Sequence, residues 1–323
     1  MVRTFSRLLM TAVIAVGVTQ AALAQEVFPS KPVKIVVPYT SGSGDTLMRI
    51  VAQRLSSQVG QQFIVENRPG AAGSTGAAFV ARSAPDGYTL VFTAAAHSLM
   101  ATMQPQLKFD AATELAPVGF MVAQPFVLLA RIDAPYKTVA ELVAYAKANP
   151  GQVKLAHSGV GTLAHTIGRW LSAEAGIDVN EIPFGGSGQG LNSLLGGHTD
   201  LLMDPPSNSL PHVAAGKVRA IAVTGGSRIA AMKDVPTLKE QGFAVVGVTW
   251  YGLSAPAKTP QPIIARLNKE LNAALADAEV KQKLEAMLFS VEPSSPEGYA
   301  KFFNDQATMW SKVIRDNKLV VAQ

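Results

Sequence analysis

The stretch Val33-Lys34-Ile35-Val36-Val37-Pro38-Tyr39-Thr40-Ser41-Gly42-Ser43-Gly44-Asp45-Thr46-Leu47-Met48-Arg49 decides the fold class. β-Branched Val33, Ile35, Val36 and Val37 suit a buried parallel strand, and Pro38 ends its ladder because it has no N–H to donate. A glycine–serine loop follows. Leu47, Ile50, Val51 and Leu55 then fall at helical spacing, with Ser43 or Asp45 as the expected cap. A strand that delivers such a loop to a helix N-terminus leaves unpaired N–H groups and the positive helix end facing outward, which favours an anion. One loop of this kind is a weak signal. The same grammar returns at Lys154-Leu155-Ala156-His157-Ser158-Gly159-Val160-Gly161-Thr162-Leu163-Ala164-His165, so the chain carries the pattern twice.

Around these two units, apolar strands alternate with helical stretches, which argues for an α/β fold with mostly parallel sheets. Phe63–Glu66, Thr89–Thr93, Val118–Met121, Phe126–Ala130, Glu181-Ile182, Leu201–Asp204, Val218–Thr224 and Val245–Ser254 read as further strands. Thr138 caps an expected helix over Val139–Ala148, and the tail is helical at Pro262–Ala276, Val280–Met287 and Pro296–Asp316. Two separate α/β groups, Val33–Thr93 and Val153–Thr224, predict two lobes with a cleft between them.

Ahead of the first strand, Arg3 and Arg7 form a basic region, Leu8 to Leu23 is mostly apolar, and Ala22-Leu23-Ala24 is a small-x-small processing site. This predicts an export signal over residues 1–24, cleaved after Ala24, and a protein of the periplasm; the apolar run is short and broken for an anchor. The sequence has no cysteine, which excludes disulfides, thiol catalysis and thiolate metal sites. Without Arg3 and Arg7, 26 basic residues stand against 23 acidic ones, scattered and without a basic run. Nucleic acid is therefore not an expected partner. The five histidines (His97, His157, His165, His198, His212) are dispersed and form no metal-ligand spacing, so neither a metal nor a cofactor is expected.

Further segments complete a family pattern: Pro29-Ser30-Lys31-Pro32-Val33, Val36-Val37-Pro38-Tyr39, Val65-Glu66-Asn67-Arg68-Pro69-Gly70-Ala71, Ala84-Pro85-Asp86-Gly87-Tyr88-Thr89, Leu194-Leu195-Gly196-Gly197 and Leu253-Ser254-Ala255-Pro256-Ala257. In this order and at these distances the chain resembles the extracytoplasmic solute receptors of tripartite tricarboxylate transporters, the Bug family, over nearly all of the mature chain. The resemblance implies a two-lobed periplasmic-binding-protein-like fold joined by hinge strands near Leu115–Ala130 and Val245–Ala255. Residues 25–122 and 248–323 would form the first lobe and 123–247 the second. It further implies a monomer that grips a small carboxylate in the cleft, without catalysis, and meets membrane transporter subunits transiently.

Carried over residue by residue, the resemblance makes Tyr39, Thr40, Ser41, Gly42, Ser43 and Gly44 the first-lobe binding loop. Ser158, Gly159, Gly161 and Thr162 become the second-lobe carboxylate cradle, with His157, His165 and Asp204 close to the ligand. Departures mark this chain: Gly44 meets Asp45 directly where relatives carry one more residue, His157 replaces a common Ser or Thr, Tyr39 replaces a frequent Phe, and Pro205-Pro206 follows Asp204. Each residue also has a plainer role. Gly42 and Gly44 permit a tight turn, Ser158 and Thr162 cap a helix, His165 packs, His157 bonds its own loop, and Asp204 caps a turn.

Three function classes follow. The first is a receptor that delivers a dicarboxylate, aromatic carboxylate or related acid to a transporter. The second is an orphan sensor signalling to a membrane regulatory partner. The third, a periplasmic hydrolase, lacks a Gly-x-Ser-x-Gly elbow, and its Ser158 and His157 are adjacent in sequence instead of forming a triad.

Overall fold

Val33, Ile35, Val36 and Val37 have no exposed surface, and the strand they form is flanked on both edges by parallel partners. The computed structural model describes residues 28–40, 42–103, 107 and 109–319; the expected export signal and Ser41 lie outside them. In chain order the elements are β1 (Val33–Val37), α1 (Ser43–Val59), β2 (Phe63–Asn67), α2 (Ser74–Ala81), β3 (Thr89–Ala94), α3 (Ala95–Met103), α4 (Ala111–Glu114) and β4 (Leu115–Pro125). Then come β5 (Val127–Arg131), α5 (Val139–Ala148), β6 (Lys154–His157), α6 (Leu163–Ala175), β7 (Asn180–Pro183), α7 (Ser187–Leu195), β8 (Leu201–Asp204), α8 (Pro206–Ala214) and β9 (Val218–Val223). The chain closes with β10 (Val248–Pro256), α9 (Gln261–Ala276), α10 (Ala278–Ala286), β11 (Ser290–Val291) and α11 (Pro296–Asp316).

The strands build two sheets, ordered β11-β4-β10-β3-β1-β2 and β7-β6-β8-β5-β9, both flanked by helices. Within each, most strands point one way. The reversed strands are β10, antiparallel to β3 and β4, and β5, antiparallel to β8 and β9, together with short β11. Their direction follows from the crossings. Only Phe126 separates β4 from β5, so β5 enters the second sheet at the end where β8 finishes, Val127 pairing with Asp204. Likewise β10 begins opposite the end of β4, Val248 pairing with Pro125. The boundary expected after Val122 falls inside β4, and the chain changes sheet at Phe126.

Thr224 ties the two crossings together. Its hydroxyl accepts from the Phe126 N–H at 2.9 Å, its N–H donates to the Phe126 carbonyl at 2.9 Å, and its hydroxyl donates to the Gly247 carbonyl. Behind the cleft, α11 lies across both halves. Trp310 is fully buried, meets Trp170 of α6 edge-on at 5.9 Å, and stands where Gly247 lacks a side chain.

Several local expectations need correction. Gly42, without a side-chain cap, precedes α1, and Asp45 sits inside the first turn instead of capping it. Two helices without a sequence expectation also appear: α3 follows β3, and α8 starts directly at Pro206, a residue whose missing N–H is no loss in a first turn. The last long strand starts at Val248, not at Val245.

Candidate functional site

The C-terminal ends of β1, β3, β6 and β8 converge with the crossings on a cavity of about 330 Å³ between the sheets. Tyr39, Thr40, Gly42, Ser43 and Gly44 line it from one side and Ser158, Gly159 and Thr162 from the other. Gly161, His157, His165 and Asp204 are not among its lining residues; the three side chains are buried behind it.

On the first side, α1 brings its N-terminus to the cavity. Thr46 N–H bonds the Gly42 carbonyl at 3.0 Å, whereas the N–H groups of Ser43, Gly44 and Asp45 find no protein acceptor among the described residues. Gly44 is glycine for a steric reason: a Cβ there would lie 3.2 Å from Phe92 and 3.3 Å from Tyr251, whose rings stack at 4.7 Å. Asp45 faces the same space but its charge is spent. It accepts from Arg49 Nε at 2.9 Å and Asn67 Nδ2 at 2.8 Å, and Asn67 Nδ2 also donates to the Tyr39 carbonyl at 3.1 Å. This network fixes the loop.

On the second side, Thr162 is the N-cap of α6. Its hydroxyl donates to the Gly159 carbonyl at 2.7 Å and accepts from the His165 N–H at 3.4 Å, while Ser158 Oγ stands 3.4 Å from it. Gly159 and Gly161 have φ of 120° and 81°, left-handed backbone that favours glycine. Their N–H groups point back to the Nδ1 atoms of His157 and His165, each at 3.3 Å. The two imidazoles pack with centroids 4.6 Å apart, and His165 Nε2 lies 3.7 Å from Glu181. Burial first, and then the neighbouring His165, push the His157 pKa down to about 4, so this imidazole is neutral at pH 7. The open donors on this side are the N–H groups of Leu163 and Ala164, which have no protein acceptor among the described residues; the Ser158 hydroxyl donates to Thr162 Oγ1.

The structure adds residues that sequence reasoning missed. Gly185, Gly186 and Ser187 bring the N-terminus of α7 to the cavity, and Ala71, Ala72 and Gly73 bring that of α2. The Phe184-Gly185-Gly186-Ser187-Gly188 run repeats the strand–glycine–helix grammar and was legible on that basis. Thr249 and Tyr251 of β10 also line the space; nothing local in the sequence marks them.

Among the described residues, the lining contains no lysine, arginine or histidine. An anion here meets main-chain N–H groups and positive helix ends, with aromatic and small apolar walls around them. Among the described residues no group of three or more histidine or acidic side chains could hold a metal ion, and no helix is long and apolar enough to cross a membrane.

Comparison with known proteins identifies the family and the fold. Residues 47–319 match the family described as "Tripartite tricarboxylate transporter family receptor". BugT of Bordetella pertussis is 31% identical over 313 residues, covering 94% of this chain and 96% of BugT. Among solved structures, an R. palustris protein with adipate superposes with a TM-score of 0.85 at 29% identity, covering 90% of this chain and 98% of that one. MatC from Rhodopseudomonas palustris with bound malate gives a TM-score of 0.83 at 30% identity, covering 89% of this chain and all (100%) of the other. The chain belongs to the tripartite tricarboxylate transporter receptor family of solute-binding proteins.

Proposed function

We propose that the protein is exported to the periplasm, holds a small carboxylate in the cavity between its sheets, and hands it to a tripartite transporter in the membrane. One observation carries this reading: the N-termini of α1 and α6, with N–H groups that find no acceptor among the described residues, meet across one cavity whose described lining offers no basic side chain. A carboxylate loses hydration on burial and needs directed donors. The N–H groups of Ser43–Asp45 on one side and of Leu163 and Ala164 on the other supply them from different sheets, so only an approach of the two lobes completes the set. Thr162, Gly159 and Gly161 hold the second loop in shape. Adipate and malate in the related structures are carboxylates of a size compatible with a cavity of this volume.

The test is a thermal-shift screen of the mature chain against aliphatic dicarboxylates, hydroxy acids, aromatic acids and matched amides. A true ligand at about 100 times its dissociation constant stabilises the fold by roughly 2.7 kcal/mol. Stabilisation by the amides equal to that by the acids would overturn the carboxylate reading.

A further inference from the structure

Asp204 ends β8 with no exposed surface, and neither carboxylate oxygen has a hydrogen-bond partner of good geometry. Strand alternation places it on the face of Leu202, toward α7 and α8, while His157 at the end of neighbouring β6 points to the opposite face with Leu155. What surrounds Asp204 is uncharged. Ser187 of α7 and Asn208 and Ser209 of α8 lie nearest, Val127 of β5 pairs with it across the sheet, and no lysine, arginine, histidine or second carboxylate contributes to its titration. A carboxylate buried without a cation or well-directed donors takes up a proton instead of keeping its charge. Burial pushes the Asp204 pKa up to about 8, with Asn208, Ser209 and Ser187 recovering only part of the cost.

Ser187 connects this acid to the cavity, which it lines. Its Oγ accepts from Asn208 Nδ2 at 2.7 Å, leaving one hydroxyl proton to give. An ionised Asp204 would claim that proton. A protonated Asp204 is itself a donor, and the Ser187 O–H then becomes available to the cavity.

We propose that Asp204 stands as a neutral acid beneath the α7 end of the cavity and, through Ser187, presents a donor to a second acceptor oxygen of the ligand. This deepens the carboxylate-receptor reading and rests on it. The ligand class it selects is a carboxylate with another carboxylate or carbonyl at its far end, and its binding is linked to the proton on Asp204. Above the point where free Asp204 ionises, the ligand must bind together with a proton, so affinity falls up to tenfold per pH unit.

Calorimetry from about pH 6.5 to about pH 9.5, in buffers of different ionisation enthalpy, counts that proton. The probes are glutarate, adipate and malate, with hexanoate as the one-ended control. Wild type should take up roughly half to one proton per two-ended acid at pH 9, and hexanoate should bring none. D204N should bind with a flat pH profile and no uptake. S187A, which leaves Asp204 in place, should also lose the uptake and decides the matter should D204N not fold. Equal proton counts in wild type and either variant, or for adipate and hexanoate, would overturn the linkage while leaving the receptor reading intact. Binding of none of the four acids at pH 7 would overturn the two-ended ligand class, and stabilisation by matched amides equal to that by acids would overturn the reading it rests on.

Discussion

Lowering the pH from 7 to 4 should strip this protein of the stability held by two buried imidazoles. His97 and His157 are 3% and 1% exposed; His157 Nδ1 accepts from the Gly159 N–H at 3.3 Å, and His97 Nδ1 lies 3.0 Å from the Ala94 nitrogen and 3.1 Å from the Ala94 carbonyl oxygen. Protonation would put a second hydrogen into the His157 contact and, at both residues, a charge into a site stripped of water. Burial, as the largest cause for both, lowers their pKa from 6.5 to about 4. The sign follows directly. Between these values the unfolded chain binds more protons than the folded one, so stability is held above pH 6.5 and is shed as the pH falls to 4. Each histidine accounts for about 3 kcal/mol across that window, a large share of the roughly 5–15 kcal/mol by which domains are stable. Asp204 titrates with the opposite sign, losing stability as the pH rises toward 8, so the raw profile mixes both effects. Urea unfolding of wild type and of the H97N/H157N double variant, in which an amide oxygen can replace Nδ1 as acceptor, separates them. The difference between the two should shrink from its pH 7 value, or reverse in favour of the variant, by several kcal/mol at pH 4. A difference that stays constant from pH 7 to pH 4 would refute the reasoning.

Trp310→Ala should cost about 3–5 kcal/mol, as truncation of a fully buried aromatic does, read as a lower urea midpoint with an unchanged slope. Thr224→Val keeps the side-chain shape but orphans the Phe126 N–H and the Gly247 carbonyl, so it should destabilise by about 1–3 kcal/mol; thermal melts within error of wild type would contradict the role given to it. Intact mass of the periplasmic fraction should show a chain beginning at Gln25, and a full-length species in the inner membrane would count against export with cleavage. Small-angle scattering should give a smaller radius of gyration with a saturating carboxylate than without, whereas identical profiles would mean that the lobes do not close.

The strand–loop–helix units at β1–α1 and β6–α6 were legible because β-branched runs, glycine loops and helical spacing are all local signals. The bounds of α5 and α11 were readable for the same reason, since Thr138 and Ser295 accept from backbone N–H groups at the starts of those helices. Helix α3 was hidden because its residues from Ala95 to Met100 are all buried, which leaves no polar face to set a period. The reversed direction of β5 and β10 is a property of where the chain crosses between sheets, and neither strand records it in its composition. At the site, the glycines announced the loops, but the destination of their N–H groups did not follow from spacing. Gly159 and Gly161 donate to His157 and His165 behind the loop, and the open donors lie one turn further on, at Leu163 and Ala164. Tyr251 and Thr249 reach the cavity only through the pairing of β10 with β3 and β4.

If the cavity takes a carboxylate as proposed, it meets the charge with main-chain N–H groups instead of basic side chains, and the preference is written into the path of the backbone. No single side-chain replacement on the lining can delete a cation that is not there, so descendants of this gene can explore new ligands without first losing the old anchor. Variation at Ala71, Ala72, Val160, Phe184 and Thr249 reshapes the walls around that anchor. The same division offers a plan for making biosensors from this scaffold: randomise the walls, keep the glycines and caps, and select among acids of different outline.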